Sequence, residues 1–465
     1  MKKTSFVPLV ASILIVLALV TGCASTGEAS SSATASGSSV KVSQQTSSEA
    51  AQPVEQRDYV SELKLSMNSE TAKQEVTVKT FVDGDTTHFY VPESVVPGGV
   101  LKARYLAINT PESTGRVEEY GKKASAFTKE RLSTATSIII ESDDERWNLD
   151  STGSRYLVWV WYKDAQSDEY RNLNLEILQN GLAIASSTAN NRYGSIAMAA
   201  LMQAKAMKLN VFSGEKDPDF YYGDAVELTL GELRLNMEEY EGVKVAFEGV
   251  VAKDDGGSIY IEDYNPETDM YNGVSVYYGY SLPGPALKAI AVGNRARIVG
   301  TVQYYEAGGV YQVSGLSYKL MDPDNPNNVK MVSSGHSAAF KKTSADTFVN
   351  GKVSVVSSDS ADEVQEYDYA YLALNTTLEM EGLFVQDVRT TTDPTSSSYG
   401  AMTLVCICDG IEVNVRTTVF TDGKGHLITA DAYMGRTIDV KGLVDSFDGT
   451  YQIKVISPRD IVIED

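Results

Sequence analysis

The chain carries Asp83-Gly84-Asp85-Thr86 and, some twenty residues on, Arg104-Tyr105-Leu106-Ala107-Ile108-Asn109-Thr110-Pro111-Glu112. The Asp-Gly pair lies between two β-rich runs, residues 76–82 and 87–91, and predicts a hairpin turn with Asp85 at the start of the outgoing strand. Arg104 opens an apolar strand, and Pro111 biases the residue before it away from the helical region, so that Glu112 begins a loop. Two carboxylates and an arginine are therefore expected on neighbouring strands, at strand ends.

Further motifs follow in a fixed order. They are Glu119-Tyr120-Gly121-Lys122-Lys123-Ala124, Gly153-Ser154-Arg155, Leu173-Asn174-Leu175-Glu176-Ile177-Leu178-Gln179-Asn180-Gly181-Leu182-Ala183, Ala204-Lys205 and Leu209-Asn210-Val211-Phe212-Ser213. With the two opening stretches, this order resembles the staphylococcal (thermo)nuclease family over roughly residues 70–222. The resemblance implies a five-stranded OB barrel that carries three helices.

The same resemblance implies a chemistry, because that family cleaves phosphodiesters with one Ca²⁺. It implies a metal shell of Asp85, the side chain of Asn109 and the Thr110 carbonyl, which are the oxygen ligands that a hard cation prefers. It implies Glu112 as the base that activates water. Arg104 and Arg155 are then the implied donors to the phosphate, a role that suits the planar and permanently charged guanidinium.

The chain departs from the family pattern at three places. Asn109 stands where the family has a metal-binding aspartate, which predicts weaker Ca²⁺ binding. Residues 185–189 lack the tyrosines that pack on the nucleotide, and Tyr193 is the nearest substitute. The turn before Arg155 is one residue longer, which can re-aim its guanidinium. Two interpretations follow: an active nuclease, or a catalytically weakened barrel that serves as a surface binding or structural module.

The start of the chain predicts export. Lys2-Lys3 precede an apolar run over residues 6–20, and Val20-Thr21-Gly22-Cys23 resembles a lipobox. The run is short for a membrane span and has the flanks of a signal peptide. We therefore expect cleavage before Cys23, lipidation of Cys23, and a location on the cell membrane that faces outside the cytoplasm.

Charge separates the two halves of the chain. The formal net charge is −22, and residues 223–465 hold 18 Lys and Arg against 36 Asp and Glu, whereas residues 67–222 hold 17 against 21. A protein that follows phosphates needs a basic groove. The C-terminal half is therefore an unfavourable DNA-binding surface as a whole, and protein or carbohydrate is its expected partner.

That half contains an internal repeat. Residues 243–251, 259–263, 274–278, 293–300 and 311–313 are echoed by residues 378–384, 402–408, 411–415, 435–442 and 451–453. Each copy has about five short strands and glycine turns, which predicts a small antiparallel barrel similar to OB-fold domains. Tyr304, Tyr305 and Tyr311 are candidates for stacking on a ligand.

The sequence thus predicts a mainly β protein in which an α+β nuclease-like barrel precedes two OB-like barrels. Its favoured function is a membrane-anchored, Ca²⁺-dependent nuclease acting on extracellular DNA or RNA. The expected segments are a signal peptide (1–22), a lipidated cysteine and flexible tether (23–66), a thermonuclease-like domain (67–222), an OB-like domain (223–320), a linker (321–350) and a second OB-like domain (351–465).

Overall fold

The computed structural model describes residues 56–279, 282–306, 308–356, 364–393, 396 and 398–464. All of them lie in the second of the two units into which the chain divides, Val54–Asp465. The expected signal peptide, Cys23 and most of the expected tether lie outside the described residues. None of the helices in this described part has both the length and the apolar character needed to cross a membrane.

The N-terminal region alternates short strands with four helices. In chain order its elements are α1 (Tyr59–Glu62), β1 (Lys73–Asp83), β2 (Thr86–Tyr90), β3 (Val100–Tyr105), β4 (Ile108–Asn109), α2 (Gly121–Ser133), β5 (Ser137–Glu141), β6 (Tyr156–Lys163), β7 (Arg171–Asn172), α3 (Leu173–Gln179), β8 (Ile184–Ala185) and α4 (Gly194–Ala206).

Five of these strands close into a barrel. The order is β1-β2-β3-β6-β5 and back to β1, and the parallel pairing of β3 with β6 completes the ring. Strand β6 is apolar on both faces, so Trp159 and Trp161 are fully buried in the core. Helices α2, α3 and α4 pack on the barrel, and Asn172 caps α3 by accepting a hydrogen bond from the Leu175 backbone N–H. The predicted OB barrel with three helices is confirmed.

Residues 57–66, which the sequence placed in the flexible tether, are packed on this barrel. Val60 is buried in its core. The backbone of Arg57 exchanges two hydrogen bonds of 2.9 Å with the side chain of Gln203 on α4. The apolar residues of this stretch alternate weakly, which predicts a short helix, and α1 (Tyr59–Glu62) lies within it. The tether prediction is wrong for this stretch, because buried contacts with α3 and α4 hold it.

The C-terminal half has two groups of elements. The first is β9 (Val226–Glu227), α5 (Leu230–Leu235), β10 (Lys244–Asp254), β11 (Ser258–Asn265), β12 (Met270–Tyr277), α6 (Gly284–Ala289), β13 (Asn294–Tyr305), β14 (Val310–Ser314) and β15 (Lys330–Ser334). The second is β16 (Lys341–Lys342), α7 (Ala345–Asn350), β17 (Lys352–Val356), β18 (Val364–Asp368), α8 (Tyr369–Leu372), β19 (Thr377–Thr390), β20 (Met402–Cys408), β21 (Ile411–Thr417), β22 (Thr437–Phe447), β23 (Thr450–Val455) and β24 (Ile461–Ile463).

Each group forms a barrel of the same topology. The second barrel closes in the order β10-β11-β12-β14-β13 and the third in the order β19-β20-β21-β23-β22. A short parallel strand, β9 or β16, flanks the first strand of each, and β15 or β24 flanks the fourth. Gly300 and Gly442 occupy matching positions in the fourth strand of each barrel. A Cβ atom added to either glycine would lie less than 3 Å from atoms of the fifth strand. The predicted repeat of OB-like barrels is confirmed.

The stretch that the sequence assigned to a linker, residues 321–350, carries paired structure. Strand β15 adds to the second barrel, β16 adds to the third, and Ser344 caps α7 by accepting a hydrogen bond from the Thr347 backbone N–H. The Asp, Pro and Asn content of this stretch is typical of a linker. Its strands are held by backbone hydrogen bonds to neighbouring strands, and amino-acid composition does not reveal such pairing.

A buried carboxylate joins the second and third barrels. Glu262 on β11 is 2% exposed and accepts hydrogen bonds from the backbone N–H groups of Ala339 and Thr377, both at 2.7 Å. The Thr377 hydroxyl also donates to it, at 2.9 Å. Burial raises the pKa of Glu262, and these hydrogen bonds offset part of that rise.

Candidate active site

The turn between β1 and β2 forms the floor of the candidate site. Asp83 pairs with Thr86 across a two-residue turn of Gly84 and Asp85. A Cβ on Gly84 would lie 2.9 Å from the Thr110 side chain, so the close approach of this loop requires glycine here. The hairpin predicted from the Asp-Gly pair is confirmed, and it brings Asp85 against Thr110.

Arg104 links Asp85 to Asn109. The register of β2 and β3 sets Arg104 opposite Thr86, beside the turn. Its Nη1 donates to Asp85 Oδ1, and its Nη2 donates to Asn109 Oδ1. Asp85 is fully buried and also accepts from the Thr110 backbone N–H at 2.9 Å and from the Thr86 hydroxyl at 3.0 Å. Burial raises the pKa of Asp85, and the Arg104 charge and the Thr110 N–H offset part of that rise.

Glu112 lies beside a second buried carboxylate, Asp83. Asp83 is anchored by the backbone N–H of Gly84 at 2.8 Å and by the Ser113 hydroxyl at 2.6 Å. Glu112 is exposed as a residue, but its carboxyl group approaches Asp83. Partial desolvation there, followed by the hydrogen bond with Asp83 and repulsion from Asp83 and Asp85, raises the pKa of Glu112 to about 7. The group can thus take up or release a proton near neutral pH.

The donor set of the expected metal shell consists of oxygen atoms. Asp85, Asn109 and Thr110 offer a carboxylate, an amide oxygen and a backbone carbonyl, which fits a hard cation such as Ca²⁺. The buried Thr110 hydroxyl beside them has no hydrogen-bond partner within the described part of the chain. Asp85 already accepts three hydrogen bonds, leaving about one of its lone-pair positions. With a single full negative charge in the set, low affinity is expected.

No cluster of three or more His, Cys, Asp or Glu side chains suited to a metal occurs among the residues that the structure describes. This agrees with the composition of the donor set, in which Asn109 and the Thr110 carbonyl supply neutral oxygens. Any cation at this position would depend on those neutral oxygens and on the substrate phosphate for most of its ligands.

Arg155 is engaged elsewhere in its own loop. Its Nε donates to Asp150 Oδ2 at 2.7 Å. Burial of Asp150 opposes ionisation, but hydrogen bonds from Thr152 and Arg155 and the charge of Arg155 lower the pKa of Asp150 to about 2. Among the described residues, Arg155 has no hydrogen bond or ion pair with Asp85, Arg104 or Glu112. The structure thus brings together Asp85, Arg104, Asn109, Thr110 and Glu112, and it pairs Arg155 with Asp150.

Tyr193, the nearest substitute for the missing nucleotide-binding tyrosines, packs against the tryptophans of β6. Its ring packs edge-on against Trp159 at 5.1 Å and Trp161 at 5.7 Å, measured between ring centroids. Its hydroxyl donates to the buried carboxylate of Glu141 at 3.1 Å. Tyr193 is therefore part of the barrel's packing, and its side chain is half-buried.

The loop that follows Glu112 rests on the second barrel. Ser314 Oγ lies 3.0 Å from the carbonyl oxygen of Gly115 and within hydrogen-bond distance of Gln303 Oε1, and its single hydroxyl proton is shared between these two acceptors. The amide of Gln303 donates to the carbonyl of Ser113 at 3.5 Å. Ser314 is fully buried and Gln303 nearly so. Sequence reasoning missed these residues, because they are polar strand residues about 190 positions away from the loop that they contact.

The barrel and its cluster define a class of protein domain, namely an OB fold of the nuclease type with a carboxylate, an arginine and a loop glutamate at one barrel edge. Residues 102–213 match the family model described as Staphylococcal nuclease homologue. The chain therefore contains a domain of the staphylococcal nuclease family, as its motifs predicted. The matched range includes Arg104, Asn109, Glu112 and Arg155, and Asp85 precedes it.

Proposed function

We propose that the protein is a Ca²⁺-dependent nuclease that hydrolyses phosphodiester bonds of extracellular DNA or RNA. One observation carries the proposal: Arg104 joins the buried carboxylate of Asp85 to Asn109, three residues before Glu112, whose pKa of about 7 suits a general base. A binding barrel has no evident need for this combination of groups at one edge.

In the proposed reaction, Glu112 takes a proton from a water molecule whose oxygen attacks phosphorus. The bond from phosphorus to the leaving oxygen breaks, and that oxygen is protonated from solvent. Arg104 donates hydrogen bonds to the phosphate as negative charge builds on its oxygens. Asp85, Asn109 and the Thr110 carbonyl would hold Ca²⁺, which when bound supplies positive charge to the same oxygens. Arg155 would contribute only after release from Asp150.

We also propose that the protein is exported and held on the membrane by lipid on Cys23. The support comes from Lys2-Lys3, the apolar run and the lipobox-like residues that precede Cys23. An anchored enzyme of this kind would meet nucleic acid outside the cytoplasm. Replacing Cys23 by Ser should release the protein from washed membranes into the soluble fraction.

A second candidate function is a binding or structural module on the cell surface. Two observations favour it: Asn109 removes a charge from the donor set, and Arg155 is held by Asp150. The two candidates differ in what purified protein does to nucleic acid with Ca²⁺. Calcium-dependent cleavage that disappears in Glu112→Gln supports the enzyme, and cleavage that appears only in Asn109→Asp supports the binding module.

A further inference from the structure

A cleft of about 1070 Å³ separates the nuclease-like barrel from the second barrel. Asn109 and Pro111, which flank the Thr110 of the candidate site, belong to the lining on the nuclease-like side. The other side consists of residues at the start of β10, at the end of β12, in the middle of β13 and just after β14. Its volume is at or above the upper range of small-molecule sites, about 300–1000 Å³, which suits an extended ligand.

The charge of the cleft differs from that of the barrel that forms its wall. Residues 223–320 hold fourteen Asp and Glu against seven Lys and Arg. The part of this barrel that lines the cleft contributes Lys244 and Lys319 and no carboxylate. Among the residues that the structure describes, neither lysine side chain has an acidic partner within 4 Å. The nuclease-like side of the cleft adds two cations, Arg116 and Lys122, and Lys122 lies 3.9 Å from Glu241. That side also adds the carboxylates Glu118, Glu119 and Asp219, so the whole lining holds four cations and three carboxylates.

Tyrosines are interleaved with these cations. Tyr277 and Tyr318 lie on the wall of the second barrel, and Tyr221 lies on the segment that joins the two barrels. Tyr277 is 36% exposed. The tyrosines that the sequence favoured lie elsewhere: Tyr304 packs on Tyr311 at 5.0 Å, and neither lines the cleft.

We propose that this cleft binds a single strand of nucleic acid and leads it to the candidate active site. Unpaired lysines match a chain of phosphates, and tyrosine rings match bases that are free to stack. A duplex hides the faces of its bases, so these tyrosines can engage only a single strand. The inference rests on the proposed function, since it takes the bound strand to be the substrate of the Glu112 site.

The cleft is a different surface from the one that OB folds commonly use. Their usual binding surface is the face of the second and third strands with the loops between strands 1–2 and 4–5. Here the lining residues of the second barrel come from the start of strand 1, the end of strand 3, the middle of strand 4 and the residues just after strand 5. Oligosaccharides are the other common ligands of OB folds, but a neutral sugar would leave the unpaired Lys244 and Lys319 without a counter-charge.

The test measures binding and cleavage separately. Full-length protein is titrated into a labelled oligothymidylate of about 12 nucleotides in EDTA, between about 50 and 200 mM salt. The charge-reversal variant is Lys244→Glu with Lys319→Glu. The matched control, Lys288→Glu with Lys424→Glu, makes the same charge change at exposed lysines outside the cleft. A Lys244→Gln, Lys319→Gln variant removes the two charges without reversing them. The thermal unfolding curve of every variant shows whether weaker binding is caused by misfolding.

We expect the cleft variant to bind at least tenfold more weakly and the control to bind as the parent does. The slope of log K against log salt should fall by about 1.4, because each phosphate contact to a single strand contributes about 0.7. Tyr277→Ala with Tyr318→Ala should weaken binding roughly tenfold and leave the salt slope unchanged. A duplex of matched sequence should bind less tightly than the single strand.

Equal binding by the cleft variant and its control overturns the inference, as does a preference for duplex or for an uncharged oligosaccharide. If the parent cleaves with Ca²⁺ and the cleft variants keep its KM, the cleft proposal fails and the nuclease proposal stands. If cleft-dependent binding is found but no cleavage occurs, the nuclease proposal fails and the cleft remains a binding site.

Discussion

Ser314 Oγ, in the second barrel, lies 3.0 Å from the carbonyl oxygen of Gly115, three residues beyond Glu112. Because the buried Ser314 hydroxyl is the shared donor to the Gly115 carbonyl and Gln303 Oε1, Ser314→Ala leaves these acceptors without it, at a cost of about 1–3 kcal/mol. We expect the Glu112 loop to loosen and kcat to fall about threefold to tenfold with little change in KM. Ser333→Ala, at an exposed serine of the same barrel, is the control, and an equal effect of both variants would contradict a positioning role for Ser314.

The raised pKa of Glu112 predicts how cleavage depends on pH. Because a base must be deprotonated, kcat/KM should rise with pH and level off above the pKa of about 7. A pH profile of the parent measures this directly. Glu112→Gln should abolish cleavage, whereas Glu93→Gln, at an exposed site on the β2–β3 loop, should leave the profile unchanged.

The same shift in the pKa of Glu112 predicts a trend in stability. Its folded-state pKa lies above the ordinary value of 4.5, so the folded protein binds more protons than the unfolded chain between pH 4.5 and 7. The contribution of Glu112 to the free energy of unfolding therefore falls as pH rises through this window. Thermal unfolding at pH 5 and pH 8 should show a smaller loss of Tm in Glu112→Gln than in the parent, and an identical loss would contradict the shift.

Asn109→Asp should strengthen Ca²⁺ binding. The substitution adds a second full negative charge to the donor set, and ligand charge tunes Ca²⁺ affinity. We expect the half-saturating Ca²⁺ concentration to fall at least tenfold, which corresponds to about 1.4 kcal/mol. Calorimetric titration of Ca²⁺ is the measurement, and Asn350→Asp, an exposed site in the third barrel, is the control. Unchanged affinity would place the cation elsewhere.

Asp150→Asn should release Arg155. The 2.7 Å ion pair holds the guanidinium in its own loop, and the neutral amide attracts it less strongly. If Arg155 donates to the phosphate once free, kcat should rise about twofold to fivefold. Asp164→Asn, in the exposed turn after β6, controls for the loss of one negative charge. A kcat that stays at the parent's value in Asp150→Asn would remove Arg155 from the catalytic set.

Glu262→Gln should uncouple the second and third barrels. One acceptor oxygen becomes an N–H donor that faces the N–H groups of Ala339 or Thr377, which leaves buried donors unsatisfied. We expect a loss of about 1–3 kcal/mol in the free energy of unfolding. Denaturant titration measures it, with Glu267→Gln as the exposed control, and two separate transitions would show that the barrels had become independent.

The sequence predicted those parts of the structure that depend on short-range signals. The Asp-Gly turn acts within a few residues, so turn chemistry reveals it, and the seven-residue spacing that ends at Gly300 and Gly442 reveals the repeat. The strand predicted to begin at Arg104 is wrong, because Arg104 is the penultimate residue of β3 and only the two residues of β4 follow before Pro111. The interbarrel cleft was not predictable, because Lys122, Tyr277 and Lys319 meet only after two barrels dock. The strands within residues 321–350 were not predicted, because they are held by backbone hydrogen bonds to strands that are distant in the sequence.

The equivalence of the second and third barrels also relates their contacts. Ser314 and Lys454 occupy equivalent positions, because each pairs with the residue that directly follows the matching glycine, Gly300 or Gly442. Ser314 bonds the nuclease-like domain, and Lys454 bonds Tyr260 of the second barrel at 2.8 Å. Each appended barrel thus uses the same edge to hold the domain before it. The contacts therefore run in one direction along the described chain: the third barrel is attached to the second, and the second is attached to the loop that follows Glu112.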